Sequence, residues 1–319
     1  MKKILAIALA CLLALSMLTA CSGNDSSNES PSNQSPSTEN SPTSNSPAAN
    51  SPSGTTPEQS PDPDFDTSQL IAFYTREDGS GTRDAFISIT GIGDNMSVEA
   101  ITLGGTSLIL TAVEENEFAI GYISVGSLSP SVKALTIEGV VPSNETIYNG
   151  TYRLQRPLLV CVTEEKADLP LVQDFIDFML STEGQEISST SWTPSVSNTE
   201  DYTPSGLTGT LRVGGSTSVD PLMQRLRDAY IDLNPGVEIE ISASGSGQGI
   251  SEATEGIIDI GMSSRDLREG ELVTLIPVAI ALDGVAVIVN PSNPLSGLTI
   301  DEVRAIYMEE YLTWADLLG

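Results

Sequence analysis

Hydrophobic and polar positions fall along this chain in blocks of different character. After a basic "MKK", residues 4–18 ("ILAIALACLLALSML") are almost continuously apolar. Residues 22–67 hold Ser, Pro, Asn, Thr and Gly with very few large apolar side chains. Such a stretch buries too little surface to offset the entropy of ordering, so it predicts a disordered tether. From residue 68 onward, short apolar runs alternate with stretches of helical period.

"LIAFYTR" (70–76) reads as a strand feeding the loop "EDGSG" and a helix from Thr82. "AITLG" is a strand, "SLILTAVEEN" a helix, and "FAIGYISV" and "KALTIEG" are strands. "RPLLVCVTE" predicts a buried strand. "LPLVQDFIDFMLSTEGQEI" (169–187) predicts one amphipathic helix, with Leu171, Val172, Phe175, Ile176 and Met179 inward. A polar segment rich in turn residues, 195–209, separates this block from a second.

The second block begins with the strand "TLRVGG". The helix "SVDPLMQRLRDAYIDL" follows, with Leu222, Met223, Leu226, Tyr230 and Leu233 on one side. Then come a strand "VEIEISAS", a loop "GSGQG", a short helix and a strand "IIDIGMSS". "IPVAIALDGVAVIVN" predicts two strands and "TIDEVRAIYM" a final helix. Alternation of this kind predicts an α/β fold with parallel or mixed sheets. A chain of 319 residues suits two lobes.

Charge narrows the function. The chain carries 14 Lys+Arg against 43 Asp+Glu, a formal −29. A broad electrostatic surface for nucleic acid is excluded. Any bound anion must be held by a local site working against the overall field. There is no histidine, which removes Ser–His–Asp and Cys–His catalysis and most zinc sites.

The basic start, apolar core and small-residue end of residues 1–21 read as a signal peptide rather than a membrane span. "LTAC" (18–21) resembles a bacterial lipobox, which makes Cys21 the expected lipidated N-terminus and 22–67 its tether, about 40 Å across as a coil. Cys161, alone in an apolar run, reads as a small buried hydrophobe.

The strand–loop–helix junctions "TREDGSGTR" (75–83), "GGSTSVDP" (214–221) and "SASGSGQGIS" (242–251) share one character, and "DIGMSSRD" (259–266) ends a strand in Ser263, Ser264 and Arg265. Unpaired amides at a helix start favour an anion, glycine admits it closely, and hydroxyls add donors. Any one such loop is also an ordinary turn, with Ser218 and Ser251 as plain N-caps and Arg76 in a surface ion pair with Glu77 or Asp78. The coincidence favours an anion site, because Arg76, Arg83 and Arg265 all lie in these loops and an arginine fork suits an oxyanion.

Together with "AIGYISVGSL" and "FIDFMLSTEGQEI", these loops resemble the phosphate-binding proteins of ABC transporters (PstS-like), over roughly 69–194 and 210–319. The resemblance implies a two-lobed periplasmic-binding-protein fold, type II-like, with crossover strands as the hinge. It implies inorganic phosphate held by Arg76, Ser80, Gly81 and Thr82 from one lobe and by Thr217, Ser218, Ser246 and Ser264 from the other. Asp78 is expected to hold Arg76, with Arg265 in support, and no metal or cofactor is implied. The implied protein is an extracytoplasmic, lipid-anchored monomer that hands phosphate to a membrane permease. Other readings are a binding protein for sulfate or molybdate, a phosphate-sensing domain and, least favoured, a phosphatase.

The chain departs from that family in two ways. Ser264 stands where some members carry an aspartate, which weakens the expected discrimination against sulfate. The halves also come in exchanged order, the "REDGSGTR" half before the "GSTSV" half. Circular permutation is expected, with a domain-swapped dimer and a poorly folding rearrangement as alternatives. One lobe is then 68–155 plus 291–319 and the other 158–194 plus 210–288, with "RPLLVCV" and "GVAVIVN" crossing between them.

Overall fold

The computed structural model describes residues 65–318, so the signal peptide, Cys21 and nearly all of the tether lie outside the described residues. The chain opens with β1 (Ala72–Arg76), α1 (Gly81–Thr90), β2 (Ile101–Leu103), α2 (Thr106–Glu115) and β3 (Ala119–Ser124). Next come β4 (Lys133–Ala134), β5 (Thr136–Ile137), α3 (Asn144–Tyr148) and β6 (Gln155–Thr163). α4 (Glu164–Ala167), α5 (Pro170–Leu180), α6 (Thr182–Ser189) and β7 (Thr193–Pro194) follow. The second half holds β8 (Gly209–Gly215), α7 (Asp220–Leu233), β9 (Val237–Ala243), α8 (Ser246–Thr254) and β10 (Ile260–Ser263). It ends with β11 (Leu275–Val289), β12 (Gly297–Leu298), α9 (Ile300–Tyr307) and α10 (Ala315–Leu318).

One mixed, ten-stranded sheet runs in the order β2-β1-β3-β11-β6-β10-β8-β9, with β4 and β7 also paired to β11. β2, β1 and β3 are mutually parallel, as are β10, β8 and β9. Between these groups β11 and β6 run antiparallel to each other. Residues Leu275–Gly284 of β11 pair with β6, and Val285–Val289 pair with β3, so this strand passes from one lobe into the other.

The first lobe joins the beginning and the end of the described chain. Ile71 donates its amide to the Leu312 carbonyl (2.9 Å) and Ala315 donates to Thr67 (2.8 Å). Its core stacks Phe86 on Tyr122 (3.9 Å between centroids), with Tyr307 edge-on to both. Burying each such ring is worth about 2–3 kcal/mol. The second lobe packs Phe175 and Phe178 of α5 against Tyr230 of α7.

Three sequence expectations change. The helix over 169–187 divides at Ser181, whose hydroxyl donates to the Phe178 carbonyl and accepts from the Gly184 amide, ending α5 and starting α6. Its inward face includes Phe178, while Leu171 is only half-buried. "IPVAIALDGVAVIVN" is part of one 15-residue strand rather than two. Asp283 does not break it, because this carboxylate is satisfied inside the fold by Arg156 and the Gly126 amide. "KALTIEG" is two short strands, β4 and β5, parted at Leu135.

Leu233, at the end of α7, is 43 % exposed. The 195–209 segment is docked on the second lobe: Tyr202 donates to Asp174 (2.7 Å) and packs on Phe178. Cys161 is fully buried in β6, and desolvation pushes its thiol up to about 12.

Candidate anion-binding site

The ends of β1, β8 and β10 and the starts of α1 and α8 converge between the lobes. On the first lobe β1 ends at Arg76, and the chain turns at Gly79 (φ +82°) into α1. Ser80 caps that helix, its hydroxyl accepting from the Arg83 amide (3.4 Å). The amides at the start of α1 have no intrahelical acceptor.

On the second lobe Ser216, not Ser218, serves the start of α7: its hydroxyl accepts from the amides of Ser218 (3.2 Å) and Val219 (3.4 Å). Ser218 is thereby released from the plain N-cap reading. Ser251 also lies inside α8, where its hydroxyl donates to Glu255 (3.1 Å). α8 begins at Ser246 with no side-chain cap.

The two jaws touch. Thr82 Oγ1 and Ser218 Oγ are 2.7 Å apart, and the Gly247 amide donates to the Gly79 carbonyl (2.8 Å). Arg76 Nη2 donates to Thr217 Oγ1 (3.0 Å). A Cβ on Gly81 would stand 2.3 Å from Ser246 Oγ and 2.8 Å from Ser264 Oγ, so only glycine allows this approach. Ser80, Thr82, Ser218, Ser246 and Ser264 are all buried.

Hydrogen-bond direction gives the cluster its chemistry. Thr217 accepts from Arg76, which leaves its hydroxyl proton to donate; Ser246 accepts from the Ser264 amide (3.2 Å), and its hydroxyl shares one proton with the Ser264 hydroxyl (3.4 Å), which leaves the other. The Thr82–Ser218 pair shares one proton and leaves the other. Hydroxyl donors, helix-start amides and one guanidinium make a pocket for an oxyanion.

Arg76 is 1 % exposed. Its Nε and Nη2 donate to the two oxygens of Glu77 (2.8 and 2.7 Å), and Nη1 reaches Thr106 Oγ1 (3.4 Å). Burial alone would raise the Glu77 carboxyl, but the Arg76 bonds and the Gly105 amide hold it below its ordinary value. Behind the loop, Tyr122 accepts from the Arg76 amide (3.3 Å) and bonds Thr75 (2.7 Å). Desolvation pushes the Tyr122 phenol up to about 12, so it stays neutral.

Asp78 does not hold Arg76. It is almost fully exposed and pairs with Arg83 (2.9 Å). Glu77 is one residue nearer and one methylene longer, and it takes the guanidinium edge that Asp78 was expected to fill. Arg265 faces other partners. Nη1 donates to Glu271 and to the Asp266 carbonyl, Nη2 donates to Glu271, and Nε lies 2.9 Å from Asp84, off the N–H direction. The Glu271 bonds hold the Arg265 guanidinium above its ordinary value, and the same bonds hold Glu271 below its own.

One buried pair is absent from the sequence reading. Arg156 donates through Nε (3.1 Å) and Nη2 (2.9 Å) to Asp283, and through Nη1 to the Ser264 carbonyl (3.2 Å). The two residues are register partners where β6 and β11 meet. Burial lowers the affinity of Arg156 for its proton, Asp283 raises it, and the nearby Arg76 charge lowers it again. The available signal was a lone charge of each sign at the edge of or within an apolar run, since such charges require a partner.

The family model described as "PBP superfamily domain" matches residues 59–183 and 198–319. Phosphate-binding protein PstS 2 of Streptococcus pneumoniae serotype 4 is 42% identical over 256 residues, taking in 77% of this chain and 87% of that protein. The crystal structure of a phosphate-binding protein of a phosphate ABC transporter from Streptococcus pneumoniae TIGR4 matches with a TM-score of 0.65 at 42% identity. That match covers 77% of this chain and 99% of the other. Phosphate-binding protein PstS of Bacillus subtilis is 31% identical over 114 residues, only 35% of this chain and 38% of that protein.

Proposed function

The chain belongs to the PBP superfamily, among the phosphate-binding proteins, and on that premise we propose that it binds inorganic phosphate between its lobes for delivery to an ABC permease. The observation that carries this is the convergence of Arg76, Thr217, Ser218, Ser246, Ser264 and the Ser80–Thr82 helix start from both lobes. Each charge-assisted hydrogen bond is worth about 1.5–3 kcal/mol. Three or four of them suffice for roughly micromolar affinity after the entropy of association.

No bond-making step is needed. Release requires only that the jaws part about the β6–β11 crossing. Ser264 leaves sulfate as the competing oxyanion, because its hydroxyl accepts a phosphate proton but also donates to an anion that has none. Isothermal titration with phosphate, sulfate and molybdate tests the reading: micromolar phosphate binding is expected. Absence of heat with phosphate, or equal affinity for sulfate, defeats the assignment.

The same proposal places the protein outside the cytoplasm as a lipid-anchored monomer, held through Cys21. Metabolic labelling with a radioactive fatty acid should mark the wild type and leave Cys21→Ser unmarked.

The order of the halves is read as circular permutation relative to the Bacillus subtilis protein. Supporting this, the pneumococcal relative aligns over most of both chains while the Bacillus one aligns over little more than a third. The pairing of residues 67–71 with 312–315 also brings the two ends of the described chain together on one lobe. A reordered gene, joining 319 to 68 and opening the chain within 195–209, should bind phosphate within about threefold of the original. Failure to fold or bind would count against permutation.

A further inference from the structure

Among the described residues, every ion pair that bridges the two lobes ends on one carboxylate, Asp84. Asp84 lies in the first turn of α1, the helix whose start forms the first jaw. Arg268 Nη2 donates to its Oδ2 at 2.7 Å, and Arg265 Nε stands 2.9 Å from the same oxygen. Both arginines lie just after Ser264 in the loop that follows β10, one and four residues on. Arg265 is itself fixed by Glu271, which also accepts from the Arg268 amide (2.7 Å). One flank of the closed cleft is therefore tied by a charged group of four, three of them from the second lobe.

The other flank differs. A cavity of about 470 Å³ there is lined by residues that include Thr106, Ser127, Trp192, Thr217 and Asp220, and no ion pair among the described residues crosses it. Arg225, also on that side, bonds only within its own lobe, to Thr190 and Ser191, and lies over the Trp192 ring.

We propose that Asp84, Arg265 and Arg268 form a clasp that sets how fast the closed cleft opens and so how fast the anion is released. These three are positioning residues. None is among the groups assigned to the anion; they act by holding α1 and the Ser264 loop together. The geometry supports that role. Asp84 sits one helical turn from Ser80 and Gly81, on the same rigid helix. Parting the jaws separates Asp84 from both arginines while it separates Thr82 from Ser218. The clasp is also open to solvent: a second cavity, of about 460 Å³, is bordered by Asp84, Arg265, Arg268 and Arg156, so salt reaches the pair.

The inference rests on the reading that the cleft holds phosphate, and two measurements keep the questions apart. The first is hydrogen exchange, without ligand, in the peptide containing the Gly247 amide, whose bond to Gly79 crosses the cleft. The second is the phosphate release rate in stopped flow. Asp84→Asn keeps the shape and removes the charge. It should expose the Gly247 amide and speed release about tenfold, while Asp84→Glu largely restores both. Arg268→Gln alters a side chain that is 67 % exposed, keeps the fold if Asp84→Asn does not, and should speed release about threefold. Raising the salt from low to high should speed wild-type release more than that of Asp84→Asn. Unchanged Gly247 exchange in both variants overturns the clasp, whatever phosphate does. Faster exchange with unchanged release overturns its part in release. If the wild type gives no phosphate signal, the ligand reading fails, and the exchange result alone decides the clasp.

Discussion

Arg76 and Arg265 stand in loops of the same kind, small-residue turns at strand ends, and both are buried in the cleft. They differ in the acceptors around them. Arg76 meets one carboxylate along one edge, and its other contacts are the hydroxyls of Thr106 and Thr217. Arg265 meets two carboxylates and a carbonyl. Hydroxyls leave an arginine with charge to offer an anion, whereas a ring of full negative charges neutralises it. Loop composition alone does not distinguish an arginine with charge to spare from one already neutralised; the surrounding charge does.

The contrast breaks most visibly at Arg76 itself. Arg76→Ala should weaken phosphate binding at least a hundredfold by titration, with the circular dichroism spectrum unchanged; near-normal affinity would move the site elsewhere. Arg265→Ala should act in the opposite sense. It leaves Glu271 without a guanidinium partner and Asp84 with Arg268 alone, so the thermal midpoint should fall by several degrees while the loss of affinity stays near tenfold.

Gly81→Ala probes the contact between the jaws without touching either arginine. Its Cβ would collide with Ser246 of the other lobe, so the lobes should stay folded while affinity drops roughly tenfold or more. Acid should separate the two arginines more gently. Glu77 and Glu271 both have carboxyls held below their ordinary values. The stability each adds is present above the unfolded value near about pH 4.3 and is lost as pH falls through the lower folded value. The thermal midpoint should therefore fall below about pH 4, and less steeply in Glu271→Gln. The smallest effect is expected at Asp78→Ala, which should change affinity less than about twofold because its partner Arg83 is itself partly exposed.

Much of the site was legible because it is built from backbone and hydroxyl chemistry. A strand that ends in Gly and Ser before a helix announces free amides wherever it occurs, and the jaw residues are of that kind. The partners of the charges were harder to read. Glu77 and Asp78 are neighbours, and nothing in their order says which one turns back on Arg76. Arg156 and Asp283 lie far apart in the chain, and their pairing depends on the β6–β11 register. Asp84 stands in a first helical turn where an acidic residue is ordinary, and only the other lobe's arginines set it apart. The single strand β11 was expected as two for a related reason: the charge of Asp283 inside an apolar run is carried there by a buried partner, Arg156.

The unequal division of the chain between the lobes has a consequence for synthesis. The second lobe is drawn mostly from one stretch, from β6 to the middle of β11, whereas the first is split between the two ends of the described chain. β1, β2 and β3 emerge from the ribosome early. Their neighbour Val285–Val289, the core residue Trp314 and the Leu312 carbonyl that fixes Ile71 all come near the end. At about 5–20 residues per second the first strands wait on the order of ten seconds or more for these partners. The lobe synthesised first is thus the last to be completed, and through that interval its apolar strands, including the wholly buried β3, depend on whatever protects nascent chains from one another.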